Sequence, residues 1–177
     1  MGTALFTATL VGLFVVAPAA AQAPVGSTRR APAAHKPMTH TVESRAIFVA
    51  VLSGAYEVPA VETRATGTAE VTLVGSRLHY QIHVDSLSDV TGAYVHIGRP
   101  GEEAPAVADL FEGVKAGPVS GILARGTLQA ADLHQTTMQH LIRALRKNDA
   151  YVTVHTLAHP EAELRGQLRI QPVVATR

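Results

Sequence analysis

The feature that most constrains the fold is a series of short runs in which apolar and polar residues alternate, separated by Gly, Pro, Asp and Ser. In residues 77–84, RLHYQIHV, every second residue is apolar. Because side chains alternate across a strand, His79 and His83 share the opposite, polar face. Gly75-Ser76, just before this run, is a two-residue hairpin signal. About eight such runs at intervals of roughly ten residues predict an antiparallel β-sandwich or barrel.

One segment, residues 134–148, departs from this alternation. Its apolar residues recur at helical rather than strand spacing, and they are Met138, Leu141, Ile142 and Leu145. Arg146 and Lys147 follow in the last turn, where cations suit the helix dipole. The chain is therefore predicted to be all-β with one inserted short helix.

The N-terminal segment indicates export. Ala4–Ala17 is apolar and uncharged, and it is shorter than the roughly 20 residues that a membrane span requires. Ala21 and Ala23 each end a small-x-small triplet of the kind that signal peptidase cleaves. We predict a signal peptide over residues 1–23, cleaved at Ala21 or Ala23. The mature protein is then secreted or periplasmic, with no stable membrane span.

The remaining chain divides by composition. Residues 24–44 are rich in Pro, Ala, Ser and Thr without either period, which predicts a flexible linker. The predicted domain covers residues 45–172, and residues 173–177 form a short C-terminal tail. A net charge of +1 gives no reason to expect nucleic acid as a partner. The absence of cysteine excludes disulfides and thiolate metal ligands.

Polar side chains at alternate positions mark a candidate site in two strands. In AYVTVHTL (150–157), Tyr151, Thr153 and His155 face away from the apolar valines. In GAYVHIG (92–98), the polar pair is Tyr94 and His96. If the valines fill the core, these side chains line an outer surface. A hairpin at AHPEA (158–162) would bring His155 close to Glu163 or Arg165.

These residues leave three chemistries open. His96 and His155 could bind copper or zinc, with a further ligand such as Tyr94 or Glu163. Alternatively, the forked guanidinium of Arg165 could pair with Glu163 or Glu57. The third interpretation is that all of them are ordinary outward-facing strand residues.

The other histidines are predicted to be surface residues. His79 and His83 lie on one strand, about 13 Å apart, which is too far for a shared ligand. His134 and His140 flank or lie on the helix. No cysteine nucleophile and no G-x-S-x-G elbow is present, so no catalytic residue is predicted.

Three segments together resemble the CHRD domain, a family found in the extracellular antagonist chordin and in bacterial exported proteins. They are LSGAYEVPAVETRATGTAEVTL, LHYQIHVDSLSDVTGAYVHIGRPGEEAPAVADL and LIRALRKNDAYVTVHTLAHPEAELRGQL. The resemblance covers residues 51–170. It implies an immunoglobulin-like or superoxide-dismutase-like β-sandwich.

The resemblance also implies a set of motif residues. They are Glu57 and Pro59, then His96, then Tyr151, His155 and Thr156, and finally Glu163, Arg165, Gly166 and Gln167. Tyr94 stands where the family usually has a histidine. If the family's histidines bind a metal, this chain therefore lacks one ligand.

We expect an exported binding or interaction module that is not an enzyme. Its partner is an extracytoplasmic protein or ligand that the sequence does not identify. The alternative is a copper- or zinc-binding domain that uses His96 and His155 and has redox or hydrolytic activity. In a purely structural interpretation, the histidines and Arg165 only lock the last hairpin.

Overall fold

The computed structural model describes residues 45–172. The strands and helices follow in chain order as β1 (Arg45–Ser53), a 3-10 turn (Gly54–Tyr56), β2 (Thr66–Val74), β3 (Arg77–Ile97), β4 (Ala106–Leu128), a second 3-10 turn (Ala130–Asp132), α1 (Met138–Lys147), β5 (Ala150–Thr156), β6 (Leu164–Gln167) and β7 (Arg169–Gln171). The predicted signal peptide, linker and C-terminal tail lie outside the described residues. No helix in residues 45–172 has the length and apolarity needed to cross a bilayer.

The strands form one antiparallel sheet that closes on itself. Its order is β2-β1-β6-β5-β3-β4, and a further pairing of β2 with β3 closes five of these strands into a barrel. β4 pairs with the outer edge of β3, and β7 pairs with β1. The predicted all-β class is confirmed. The immunoglobulin-like sandwich form is not confirmed, because the strands belong to a single closed sheet rather than to two stacked ones.

Two long strands replace four short predicted ones. β3 joins the runs 77–84 and 92–98, and β4 joins AVADLF to SGILARGTL. Register shifts along the β3–β4 pair absorb the intervening polar and glycine-rich residues. Ser86 and Asp89 adopt positive φ within this stretch, as does Gly117 in β4. Turn-type residues therefore form bulges here instead of ending the strands.

The barrel core follows the apolar alternation. The largest fully buried side chains include Phe48, Leu52, Leu73, Leu78, Ile82, Leu87, Leu141, Leu145, Leu164 and Leu168. Leu141 and Leu145 come from α1, which confirms the predicted helix. Thr137 caps the helix by accepting a hydrogen bond from the His140 amide, and Asn148 ends it in the left-handed conformation.

Gly166 positions β6 against β1. A Cβ at this residue would collide with the backbone carbonyl of Val51, so only glycine permits the two strands to approach this closely. Because side chains alternate, the neighbours Arg165 and Gln167 then share one face of β6. That face is the outer surface of the barrel, continuous with β5 and β3.

Candidate functional site

Cross-strand register brings the predicted site residues together on the outer face of β3, β5 and β6. One row runs from Tyr94 through Thr153 to Arg165. The next row runs from His96 through Tyr151 to Gln167. His155 pairs with Gly92 and extends the same face by one row. The sheet therefore makes neighbours of residues that are as far apart in sequence as Tyr94 and Arg165.

Loops cover most of this face. His96, Tyr151, Thr153 and Arg165 are all buried, with exposed fractions of 8%, 2%, 4% and 3%. These four side chains lie on the outer face of the barrel, as the alternation predicts, but they are covered rather than open to solvent. The cover comes from segments 57–63, 98–105 and 157–163, which fold back over the outer face of the barrel.

An open cleft of about 800 Å³ remains between these loops. We call it the histidine cleft and define it by Tyr94, His96, Thr153 and His155, with Arg165 and Glu57 at its walls. It joins residues from β3, β5 and β6 with the segment after β1. Six of the predicted site residues line it, and they are Glu57, Tyr94, His96, Tyr151, His155 and Arg165.

A hydroxyl bridges the two histidines. The Nε2 atoms of His96 and His155 each lie 2.9 Å from the Oγ1 of Thr153. The Nδ1 atoms of the same rings lie 2.8 Å from backbone carbonyls, of Ala104 for His96 and of Pro160 for His155. A carbonyl only accepts, so both Nδ1 atoms carry a proton and donate it.

The Thr153 hydroxyl cannot donate a hydrogen bond to both histidine Nε2 atoms. Thr153 has a single hydroxyl proton and can donate it to only one Nε2 atom. Burial lowers the pKa of both His96 and His155, so neither ring readily takes up a second proton. One Nε2 lone pair therefore faces the bridging oxygen without a donor. A ligand that donates a hydrogen bond or accepts this lone pair would complete the arrangement.

Arg165, Tyr151 and His96 form a stack beneath the cleft. The guanidinium carbon of Arg165 lies 3.7 Å from the centre of the Tyr151 ring. The opposite neighbour of Tyr151 is His96, parallel within 4° and 4.6 Å away between ring centres. Arg165 also donates from Nη2 to the Glu102 carbonyl at 2.6 Å. The stack fixes the plane of His96 and couples it to the Arg165 charge, which contributes to lowering the pKa of His96.

Glu57 has one unpaired oxygen. Its Oε1 is buried and has no hydrogen-bond donor among the described residues. Burial raises the pKa of Glu57, although the charge of Arg165 acts in the opposite direction. No carboxylate oxygen of residues 45–172 lies within 4.0 Å of Arg165, so the Arg165–Glu57 pairing, one of the alternatives that the sequence left open, is not formed.

Glu163 does not pair with Arg165 either. Its Oε1 accepts a hydrogen bond from the Thr63 hydroxyl at 2.7 Å, and its Oε2 accepts one from Thr156 at 2.8 Å. These bonds join the loop before β2 to the hairpin between β5 and β6. Glu163 therefore stabilises a wall of the site, and both of its oxygens have donors. Gln167 is also held by the backbone, because its Nε2 donates to Gly98 and Asn148.

A family model describes this chain over residues 48–168, and it is the model of the CHRD domain. The chain belongs to the CHRD domain family. The match contains the cleft residues and the Glu163 and Gly166 positions described above. Searches of curated proteins and of solved structures found no match.

Tyr94 gives this CHRD domain a phenol where the resemblance led us to expect a histidine. Its ring meets that of His155 edge to face, with 4.9 Å between centres. It also lies across Gly92, where a Cβ would collide with the phenol oxygen. Burial raises the pKa of Tyr94, with Glu112 and Asp109 adding to the effect. The phenol is therefore neutral at physiological pH.

The sequence of this CHRD domain did not predict the role of Thr153 or of the two backbone carbonyls that hold the histidines. The alternation placed Thr153 on the polar face but did not predict that it bridges the two histidines. The signal that could have indicated this role is its position between Tyr151 and His155 on that face. The carbonyls of Ala104 and Pro160 carry no sequence signal, because backbone groups are the same in every residue. His79, His83, His134 and His140 lie outside the cleft lining, whereas His159 is part of it. His134 contacts Asp109 at 2.7 Å.

Proposed function

We propose that this CHRD domain is an exported binding module and that the histidine cleft is its ligand-binding site. The observation that supports this most is the gathering of buried polar groups under one open cleft. A barrel core needs no such groups, and their burial opposes folding unless they are paired. The cleft volume of about 800 Å³ is within the range of small-molecule sites.

The charges and acceptors of the cleft favour a ligand that donates hydrogen bonds and carries positive charge. Glu57, Glu103 and Glu161 line it, against the single guanidinium of Arg165. The unpaired Oε1 of Glu57 and one histidine Nε2 both need a donor. An ammonium group would supply protons to these acceptors and would be attracted by the carboxylates.

Thermal unfolding of the full-length chain in the presence of matched small molecules tests this proposal. Ethanolamine and methylamine are the cationic probes, and ethylene glycol is the neutral comparator. A ligand that binds only the native state raises the melting temperature. We expect a rise with an amine but not with ethylene glycol, and its loss in His155→Gln.

His83→Gln is the control variant, because His83 is exposed on β3 and does not line the cleft. It should melt and respond like the wild type. The proposal fails if neither amine raises the melting temperature, or if His155→Gln responds as strongly as the wild type.

A metal-binding role is the second candidate, and the orientation of the histidines favours it. Both Nδ1 atoms donate to backbone carbonyls, which is how metal-binding histidines are commonly held while Nε2 binds the ion. Within residues 45–172, no group of three His, Cys, Asp or Glu is arranged to hold an ion. Copper or zinc would therefore use His96 and His155 with the Tyr94 phenol or solvent.

Elemental mass spectrometry of untagged protein and melting curves with copper or zinc test this role. A stoichiometric metal, together with a melting temperature that rises in His83→Gln but not in His155→Gln, would support it. It would also justify assays for redox or hydrolytic activity. A metal-free protein whose melting temperature does not change with either ion would contradict it.

The proposed export rests on the apolar segment and on the small residues Ala21 and Ala23. Fractionation of producing cells and determination of the mature N-terminus would test it. We expect extracytoplasmic protein beginning at Gln22 or Pro24. Cytoplasmic protein that retains Ala4–Ala17 would contradict the proposal.

A further inference from the structure

A second depression lies on the same outer face, on the other side of Arg165. Val49 and Val51 of β1 border it, together with Arg165 of β6 and Arg169 of β7. Val49 pairs with Arg169, and Ser53 pairs with Arg165, so strand register sets the separation of the two arginines. We call this depression, of about 470 Å³, the arginine groove.

The charge of the arginine groove is uniformly positive. Neither Asp nor Glu is among its lining residues. Arg169 is exposed, and within residues 45–172 neither Arg169 nor Arg165 forms an ion pair with a carboxylate. Arg165 and Arg169 pair with Ser53 and Val49, which are four positions apart on β1, and both side chains line the depression without a counter-charge, so the groove attracts an anion.

Arg165 keeps donors available for such an anion. Only its Nη2 donates to the protein, to the carbonyls of Glu102 and Arg99. Its Nε and Nη1 have no acceptor among the described residues, and they are not among the fully buried polar atoms without a partner. These two atoms are therefore not completely enclosed, although Arg165 as a whole is only 3% exposed. A carboxylate matches the two-pronged geometry of a guanidinium better than a spherical ion does.

Apart from Gln167 and Gln171, the other side chains that line the groove are apolar or aromatic, and two of them are largely exposed. Val51 is 60% exposed, and Tyr56 is 57% exposed. Single exposed apolar residues are common on protein surfaces, but these two line one groove together with Val49. A ligand for this groove therefore needs an apolar body as well as a negative charge, because it would cover these side chains while pairing with the arginines.

We propose that the arginine groove binds a carboxylate attached to an apolar body, at a site separate from the histidine cleft. Two sources share this chemistry. One is a free aromatic or branched aliphatic acid, and the other is the C-terminal residue of a peptide that ends in an apolar side chain. The volume of about 470 Å³ accommodates either one.

Titration of the full-length chain with phenylacetate, followed by calorimetry or NMR, tests the proposal. Phenylacetamide has the same shape without the charge. We expect saturable binding of phenylacetate below millimolar concentration and much weaker binding of the amide. Arg169→Gln should weaken phenylacetate binding about tenfold, as expected for the loss of one charge-assisted hydrogen bond.

Arg125→Gln is the matched control, because it removes the same charge from an exposed β4 residue outside the groove. It should bind phenylacetate as the wild type does. The proposal is overturned if phenylacetate does not bind, if the amide binds equally well, or if Arg125→Gln weakens binding as much as Arg169→Gln.

The tripeptide Gly-Gly-Phe and its C-terminal amide distinguish the two sources. Tighter binding of the tripeptide than of phenylacetate, abolished by amidation, would identify a peptide C-terminus as the ligand. Tighter binding of phenylacetate would identify a free acid. Either result supports the carboxylate site. Equal binding of the tripeptide and its amide would overturn it.

Discussion

The histidine cleft and the arginine groove lie on one face of the same sheet and share Arg165, yet their chemistries are opposite. The cleft is lined by three glutamates and three histidines, and burial lowers the pKa of two of these histidines, His96 and His155. The groove is lined by two arginines, two glutamines and apolar side chains, without a carboxylate. Over the cleft, loops bring in Glu57, Glu103 and Glu161. The groove takes most of its residues from the strands.

This difference shows how one face of β6 and β7 can contribute to two sites. Alternation places Arg165, Gln167 and Arg169 on the same face, but only the loops determine which part of that face is buried. Arg165 is 3% exposed and stacks on Tyr151, so it is a wall of both sites. We therefore expect a substitution at Arg165 to affect both sites. A substitution of a residue that lines only the cleft or only the groove should affect that site alone.

Arg165→Ala should have the largest effect. It removes the contact with Tyr151 and leaves the partly buried carbonyl of Glu102 without its donor. We expect the free energy of unfolding to fall by about 3 kcal/mol. Urea denaturation measures this change. Arg169→Ala is the control and should change the value by less than about 0.5 kcal/mol. If Arg165→Ala is as stable as the wild type, Arg165 does not contribute to the stability of the fold.

Thr153→Val should have the next largest effect, because it removes the hydroxyl between the histidines. Both Nε2 atoms then lose their contact with the Thr153 oxygen in a buried site. We expect a loss of about 1–2 kcal/mol in urea denaturation. Thr153→Ser keeps the hydroxyl and should recover most of the loss. Equal destabilisation by both variants would point to packing rather than to the bridge.

The pH dependence of stability should also come from the cleft and not from the groove. Burial lowers the pKa of His96 and His155 below the ordinary value of 6.5, so the unfolded chain takes up protons first as the pH falls. The melting temperature should therefore decrease below about pH 6.5. The raised pKa of Glu57 acts in the opposite direction from about pH 4.5 upward.

His155→Gln should flatten the decrease in melting temperature, whereas His83→Gln should retain it. Melting curves between pH 5 and pH 8 in about half-unit steps measure the difference. A wild-type profile without a decrease would show that the histidines are not held neutral in the folded state.

Glu57→Gln should separate stability from binding. Since burial raises the pKa of Glu57, its charged form is disfavoured in the folded protein at neutral pH. The neutral amide should therefore increase the melting temperature slightly while it weakens ethanolamine binding in the cleft. Phenylacetate binding in the groove should not change. A loss of stability would indicate that the attraction between Glu57 and Arg165 outweighs the burial of the carboxylate.

Arg169→Gln should have the smallest effect on stability, because Arg169 is exposed and forms no side-chain hydrogen bond with the described residues. We expect a change within about 0.5 kcal/mol and an unaltered response to ethanolamine. Thermal unfolding with and without the amine provides both measurements. An altered amine response would mean that the two sites are coupled through Arg165.

Much of this arrangement could be predicted from sequence, because alternation is a local property. It indicated the all-β class, the Gly75-Ser76 turn, helix α1 and the grouping of Tyr151, Thr153 and His155 on one face. It did not predict the length of β3 and β4. Bulges at residues such as Ser86 and Asp89 let pairing continue through segments whose composition resembles turns.

The sequence by itself therefore determined which side chains share a strand face and that no cysteine chemistry is available. Only the tertiary structure decided that the sheet closes into a barrel, that loops bury its outer face and that Glu163 pairs with threonines rather than with Arg165. The physical reason is that closure, loop packing and ion pairing depend on contacts between residues far apart in the chain. The Thr63–Glu163 hydrogen bond, across 100 residues, is one such contact.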